Sequence, residues 1–371
     1  MIRVATLSDL DALVEIENAC FELDRLSRRS FRHMLTKGKA STLVWEDERG
    51  IQAYIITLFN SGTSLARIYS IAVMPQAQGL GLGRKLVEAA EQVAIDQDRV
   101  YVRLEIRPDN QASIALFERM GYRQFGLYLD YYEDHMDALR FEKRLQYHPA
   151  PYLAKVPYYQ QTLDFTCGPA SLMMAMKALD DSLVLDRQLE LRLWRESTTI
   201  FMTAGHGGCG PYGMALAALH RGFEVEVYVK ENEVMFIDSV RSEEKKEVIQ
   251  LVEEDFMQEI ESSDITLHYH RLSTSEINDA LDAGGIPVIL ISSYRIYKEK
   301  FPHWVIITGH DDRFIYFHDP YIDEEKGKTM TDCVNMPIPI EEFERMTRYG
   351  KSGQRAALIL YAKKQQDVVQ A

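Results

Sequence analysis

The chain has 371 residues, 46% hydrophobic and 26% charged, with a formal net charge of −14. That length accommodates two cores, the composition excludes a disordered chain, and the acidity excludes non-specific nucleic-acid binding, which needs basic surface to displace counterions. No basic start followed by an apolar run opens the chain and no stretch reaches the roughly 20 apolar residues of a membrane helix, so a cytoplasmic protein without a membrane or nucleic-acid partner is expected.

The predicted elements alternate over the first part. A short strand at 2–5 precedes a helix from Ser8, with Asp11 completing a capping box, to about Phe21. Strands follow at 41–45, 51–59 and 65–73, then a glycine loop and a helix from Arg84 to about Asp96. A strand at 100–106, a helix at 110–120 closed by Gly121, and strands at 122–131 and 136–145 complete an α/β unit with helices on the faces of a mixed sheet. Two prolines within 146–152 break the pattern, which sets a boundary near residue 148 and domains of 1–147 and 148–371.

The second part opens with helices at 167–179, 188–195 and 213–221 and a strand at 223–229. Helix 242–261 looks amphipathic, with Val248, Leu251, Val252, Phe256 and Ile260 near a 3.6 period. Ser273 and Glu276 form a capping box before 277–283, and strands at 286–292, 304–309 and 314–318 follow. A helical front backed by a sheet reads as an α+β domain.

Between a strand and a helix, Gly79, Gly81 and Gly83 let the main chain approach a ligand with its N–H groups exposed. The helix start at Arg84 adds its positive end, a combination suited to a pyrophosphate. A P-loop is excluded because Arg84 and Lys85 follow Gly83, and a dinucleotide fingerprint because the spacing is G-x-G-x-G. A plain tight turn is the bland alternative.

Gln78-x-x-Gly81-x-Gly83 resembles the acetyl-CoA signature of the GNAT superfamily, and Ile71-Ala72-Val73 its splayed strand. The run from Leu104 to Tyr122 resembles that family's closing half, closest to the ribosomal-protein-alanine N-acetyltransferase branch. The resemblance implies a GNAT fold over residues 1–147, acetyl-CoA as cosubstrate and an amine acceptor. It also implies that Ile71, Val73, Gln78, Gly79, Gly81, Gly83, Arg84 and Asn110 bind the coenzyme, with Glu105 as the base that neutralises the attacking amine. Read alone, Glu105 is a surface strand residue pairing with Arg103 or Arg107, and Asn110 a helix N-cap. The branch places a tyrosine where this chain has Phe117, leaving Tyr128, Tyr131, Tyr132 or water to return a proton to the thiolate.

The four cysteines, Cys20, Cys167, Cys209 and Cys333, form no CxxC pair, and no disulfide framework is expected. Cys167 stands where a loop becomes a helix, with Pro169 in the first turn, and a helix N-terminus favours a thiolate. Gln161, six residues earlier, and the Cys167 N–H can serve as oxyanion donors. His303 precedes an apolar strand within the roughly 130–150-residue separation of papain-like enzymes, and Asp319 ends the next strand, where it can fix an imidazole tautomer. His310 and His318 are rival bases, His318 pointing away from the Asp319 face.

Gln161-x5-Cys167-Gly-Pro, then the run beginning His303-Trp-Val-Ile-Ile, then His318-Asp-Pro resemble the double-glycine-leader cysteine peptidases. The resemblance spans about 155–365 and implies a papain-like fold with Cys167 as nucleophile, His303 as base, Asp319 as orienting acid and Gln161 as oxyanion donor. No metal is expected: His206 to Tyr212 has no second Cys/His pair and reads as a glycine-rich loop. His268 and His270 read as solvent-facing, Cys20 and Cys333 as packing or surface thiols, and 241–246 as a solvated helix face. The expectation is a bifunctional enzyme that cleaves a small precursor peptide and acetylates a peptide or protein amine. The alternatives are a peptide-binding or regulatory protein with one impaired domain, or an acetyltransferase of small amines or lysine whose peptidase-like domain presents substrate.

Overall fold

The computed structural model describes residues 1–145, 151–198, 207–230, 234–237, 240, 242–299, 301–326 and 328–363. The chain forms two compact units, Met1–His148 with Met330–Asp332, and Pro149–Thr329 with Cys333–Ala371. Of the expected seam at 146–152, residues 146–150 lie outside the described set.

In chain order the first unit contains β1 (Ile2–Val4), α1 (Leu10–Cys20), α2 (Arg28–Thr36), β2 (Ala40–Asp47), β3 (Gly50–Phe59) and β4 (Leu65–Val73). It continues with α3 (Leu82–Asp96), β5 (Tyr101–Ile106), α4 (Gln111–Arg119), β6 (Arg123–Tyr128) and β7 (Ala138–Arg144). Among the described residues the sheet order is β1-β2-β3-β4-β5-β7-β6, with β4 and β5 parallel and every other pair antiparallel. Alternation along β3 builds two cores. Ala53 and Ile55 pack with Leu82, Leu86 and Phe117 from α3 and α4, while Tyr54 and Ile56 pack with Leu13, Ile16 and Phe31 from α1 and α2. The sheet is therefore covered on both faces, as expected.

One local expectation fails in this unit's N-terminal part, and one helix there has no counterpart among the predicted elements. The N-terminal capping box is formed by Thr6 and Asp9, not by Ser8 and Asp11, because a 3-10 turn at Leu7–Asp9 precedes α1. Helix α2 went unread; Ser27 caps it by accepting from the Ser30 N–H, and Phe31 is its one fully buried side chain, too little apolar periodicity to be seen.

The second unit contains β8 (Tyr152–Leu153), α5 (Cys167–Leu179), α6 (Arg187–Ser197), α7 (Pro211–Leu219), β9 (Glu224–Val229), α8 (Glu243–Glu261), β10 (Thr266–His268), α9 (Thr274–Asp282), β11 (Ile286–Ser292) and α10 (Tyr294–Tyr297). Then come β12 (Pro302–His310), β13 (Phe314–His318), α11 (Met330–Cys333), β14 (Met336–Pro339), α12 (Ile340–Met346) and β15 (Ala356–Tyr361); most of α11 belongs to the first unit. The sheet order is β10-β9-β15-β11-β12-β13-β14, with β8 paired to β12. One face packs on α5, α6, α7 and α8, through residues such as Leu172, Leu193, Met214 and Ile249, and the other on α9 and α12. The expected helical front is present, and the back of the sheet is covered as well.

Strand β15 was not anticipated, although Ala356–Tyr361 pairs with both β9 and β11 at the middle of the sheet. A short apolar run buried on both faces has no period to reveal it. The apolar face of α8 is also shifted. Val248 and Leu251 are exposed, while Ile249, Glu253 and Ile260 are buried.

Glu253 accepts from the Met235 N–H at 3.2 Å, and burial raises its pKa from 4.5 to about 7. A raised carboxyl value means its protonated form is the one the fold favours. Its contribution is complete below pH 4.5 and is lost as pH rises through about 7. Glu253→Gln should remove this dependence, so urea denaturation should show wild type losing on the order of 3 kcal/mol relative to the variant between pH 4.5 and pH 8.

Candidate functional site

In the first unit, β4 and β5 pair only where Leu65–Arg67 lie beside Tyr101–Arg103. Both strands run on, β4 to Val73 and β5 to Ile106, without pairing to each other. The divergence leaves main-chain groups of β4, including Ile71 and Val73, facing a gap instead of a neighbouring strand. A loop at the end of β4 turns into α3. Gly79 and Gly81 adopt φ of 77° and 74°, a left-handed conformation that side-chain-bearing residues rarely take, and a Cβ at either would meet nothing within 4 Å.

Helix α3 starts at Leu82, two residues earlier than expected, with Gly81 as its N-cap. Its first internal bond is from the Lys85 N–H to the Gly81 carbonyl, so the N–H groups of Leu82, Gly83 and Arg84 have no partner within the helix. Open space, free N–H groups and the positive end of a 15-residue helix fit a pyrophosphate. The Arg84 side chain pairs with Glu88 one turn on. Gln78 donates to the Val73 carbonyl at 3.2 Å, which the Cys20 thiol also meets at 3.3 Å. Asn110 caps α4 by accepting from the Ser113 N–H at 3.1 Å, the bland role foreseen for it.

Glu105 lies in the diverged part of β5, and its side chain is only 4% exposed. In place of the exposed position of the bland reading, Glu105 makes a buried contact with Arg67, whose Nε and Nη2 each lie 2.9 Å from the Glu105 Oε2. Arg67 also donates to the Tyr131 hydroxyl at 2.9 Å and meets Asp332, of the same compact unit, at 3.3 Å. Burial and the Glu105 charge hold the Tyr131 and Tyr132 phenols well above the usual tyrosine range, Arg67 and Arg107 opposing in part. Phe117 is 1% exposed and packs edge-on against Tyr122 at 5.0 Å.

In the second unit, Cys167 is the first residue of α5, and the first helical bond runs from the Ala170 N–H to the Thr166 carbonyl. Pro169 has no N–H, so the Cys167 and Gly168 N–H groups are the ones left without a helical partner. A Cβ at Gly168 would lie 3.0 Å from the Met214 sulfur, 3.2 Å from Trp304 and 3.3 Å from the Cys209 Cβ, which explains why only glycine follows the cysteine.

His303 is the second residue of β12, and Asp319 follows β13. Ile306 pairs with His318, so positions 305 and 319 are opposed and the two-residue period carries 303 to the same face. The His303 Nε2 meets the Asp319 Oδ1 at 2.7 Å, with both side chains buried. Burial disfavours the imidazolium, but the Asp319 charge and hydrogen bond, with a hydrogen bond to Cys167, raise its pKa to about 10. Burial alone would raise the Asp319 carboxyl; His303, Lys328 and the Tyr297 hydroxyl hold it below its usual range.

The rival bases have other partners. His318 accepts from the Asn335 N–H on Nδ1 and meets the Val156 carbonyl through Nε2, each within 3.0 Å, and His310 meets Asp282. Gln161 is 7% exposed and donates from Nε2 to the Leu163 carbonyl at 2.8 Å, which leaves that nitrogen a second proton. Its main-chain N–H donates to the Pro320 carbonyl at 2.9 Å, tying it to the Asp319 segment.

Cys20 is partly buried; Cys209 and Cys333 are buried. Burial and Glu17 push the Cys20 thiol up, and burial pushes Cys209 up further. His206 lies outside the described residues. No group of three metal-ligating side chains occurs among the described residues, nor any helix long and apolar enough to cross a membrane.

Tyr297 was missed in the sequence. Its hydroxyl donates to the Asp319 Oδ2 at 2.5 Å, and the Lys328 ammonium lies 4.3 Å from its ring centre. It precedes Asp319 on a four-residue helix, and no local motif marks it. Tyr297→Phe keeps the ring and removes this bond to a buried charge. Urea unfolding should show a loss of about 1–3 kcal/mol.

Residues 10–122 match the family described as Acetyltransferase (GNAT) family, and residues 156–361 the family described as Peptidase_C39 like family. An uncharacterised N-acetyltransferase of Methanocaldococcus jannaschii is 31% identical over 150 residues, covering 39% of this chain and 91% of that protein. The [ribosomal protein bS18]-alanine N-acetyltransferase of Salmonella typhimurium is 27% identical over 141 residues, 37% of this chain and 93% of that protein. Among solved structures, the ribosomal-protein-S18-alanine N-acetyltransferase from Escherichia coli is 25% identical, with a TM-score of 0.37, covering 41% of this chain and 98% of that one.

Proposed function

The chain belongs to the Peptidase_C39-like family and, through its first part, to the GNAT acetyltransferases, and on that premise we propose that it cleaves a peptide precursor and acetylates a peptide or protein α-amine. The observation that carries the peptidase half is the bonded set Cys167, His303 and Asp319, with Cys167 at the start of a buried helix and His303 and Asp319 on adjoining strands.

In the proposed cleavage, the Cys167 sulfur attacks the scissile carbonyl and the imidazolium of His303 gives its proton to the departing amine. Asp319 holds Nε2, which leaves Nδ1 directed at the sulfur. The carbonyl oxygen takes up charge between the Cys167 N–H and the second Nε2 proton of Gln161. Water then releases the acyl group, with His303 as base. In wild type, iodoacetamide near pH 7 should alkylate Cys167 ahead of Cys20, Cys209 and Cys333. His303→Ala should slow that alkylation about tenfold or more, read by peptide mass mapping. Equal labelling of all four thiols would remove the peptidase reading.

In the proposed acetyl transfer, the β4 main chain and the α3 N-terminus bind acetyl-CoA, and Glu105 takes a proton from the attacking amine. The diverged strands and open glycine loop support this assignment. Phe117 has no proton to give. Tyr131 and Tyr132, kept protonated by burial beside Glu105, are the phenols to which we assign return of a proton to the thiolate. The relative named [ribosomal protein bS18]-alanine N-acetyltransferase supports an α-amine as acceptor. Glu105→Gln should lower kcat for a synthetic peptide with a free α-amine by about 10²–10⁴, with coenzyme A binding retained by calorimetry. An unchanged kcat removes Glu105 from the role.

A peptidase cut frees a new α-amine, so the two steps are proposed to act in sequence on one substrate.

A further inference from the structure

Among the described residues, Glu190 is the most enclosed carboxylate in the second unit outside the Cys167, His303 and Asp319 set. It lies in the first turn of α6 and has no exposed surface. Four donors converge on it. Its Oε2 accepts from the Tyr159 hydroxyl at 3.0 Å and the Thr162 hydroxyl at 2.7 Å. Its Oε1 accepts from the Thr162 N–H at 2.8 Å and the Thr166 hydroxyl at 2.5 Å. No cation pairs with it among these contacts. Burying a carboxyl group without a cation is costly unless its oxygens are hydrogen-bonded, and here four donors reach them.

All four donors belong to one segment, 159–166. That segment carries Gln161 and ends at Thr166, the N-cap of α5, one residue before Cys167. Its other side is tied to the Asp319 segment, where the Tyr158 hydroxyl donates to the Asp319 carbonyl at 3.0 Å and the Gln161 N–H to the Pro320 carbonyl at 2.9 Å. Within the segment, the Thr166 N–H and the Gln161 Nε2 both donate to the Leu163 carbonyl, at 3.2 and 2.8 Å. The side-chain amide of Gln161 is therefore aimed by a carbonyl whose place is set by residues that Glu190 holds.

We propose that Glu190 is a positioning residue for oxyanion binding. It fixes segment 159–166 so that the Gln161 amide and the Cys167 N–H converge on one oxygen. The inference rests on the peptidase reading and deepens it: the contacts of Glu190 reach neither the Cys167 sulfur nor the His303 imidazole but the segment that sets where the carbonyl oxygen gathers charge. Glutamine at 190 has the same shape, yet it turns an NH₂ toward two of the four donors, so the segment must shift. A displacement of about 1 Å at a charge-stabilising donor costs on the order of 10²-fold in rate.

Two reagents separate this role from simple loss of structure. Iodoacetamide alkylates the Cys167 sulfur with loss of iodide and needs no oxyanion site. N-acetyl-glycylglycinal adds reversibly: a sulfur–carbon bond forms, the carbonyl π bond opens, and the oxygen takes the imidazolium proton while resting between the oxyanion donors. Aldehyde affinity is read as protection of Cys167 against iodoacetamide in the full chain. Glu190→Gln, and the milder isosteric Thr166→Val, should weaken aldehyde protection about ten- to hundredfold while the iodoacetamide rate stays within about twofold of wild type. Glu190→Asp should restore part of the affinity.

Unchanged aldehyde protection in either folded variant overturns the proposal. A parallel fall of both readouts in Thr166→Val also overturns it, because the segment then supports the fold in general. If wild type Cys167 is not alkylated selectively, the peptidase reading itself fails, and this proposal with it.

Discussion

The 2.7 Å contact between His303 and Asp319 is the interaction on which the second unit is organised. Neither side chain is accessible to water, so each charge would be costly without the other. The pair in turn requires β12 and β13 in one register, with Ile306 opposite His318. A slip of one residue would send His303 to the opposite face. Asp319 also accepts from the Tyr321 N–H at 2.9 Å and the Tyr297 hydroxyl, so its lone pairs are filled from three directions. Rigidity of this kind suits a group that must hold an imidazole at a fixed angle.

The first unit solves a different problem, that of leaving main chain unpaired without exposing an edge. Strands β4 and β5 begin as a parallel pair and part after Arg67 and Arg103. The buried guanidinium of Arg67 stands at that parting, bridging to Glu105 and to Tyr131. It is the last residue of β4 paired to β5, and its contact with Glu105, further along β5, links the strands where their main chains no longer do. The gap beyond and the N–H groups at the start of α3 both present backbone without a main-chain partner, and this is the feature on which the proposed coenzyme site rests.

Much of both sites was legible in local pattern. Gln78, Gly79, Gly81 and Gly83 lie at the turn from β4 toward α3, because glycine spacing before a helix is a short-range signal. Cys167, His303 and Asp319 stand out in the sequence because each sits at an element end marked by proline, glycine or the edge of an apolar run, and Gln161 stands out by its spacing from Cys167 within the preceding loop. Glu105 was read as either a base or a surface residue, and its buried bond to Arg67 crosses between two strands that only folding sets side by side. Strand β15 and helix α2 escaped notice for opposite reasons, one buried on both faces and the other scarcely buried at all.

By itself the sequence determined the alternation of most elements, though not helix α2 or strand β15, together with the glycine turn and the residue types that end many segments, because these depend on interactions among neighbours along the chain. It also placed Gln161, Cys167, His303 and Asp319 at the separations on which the proposed peptidase site rests. Tertiary structure alone decided that Arg67 would meet Glu105, that Tyr297 would complete the ring of donors around Asp319, and that Glu190 would gather four donors from one loop. Such contacts join residues distant along the chain, and their energies exist only once burial has removed the water that would otherwise satisfy each group.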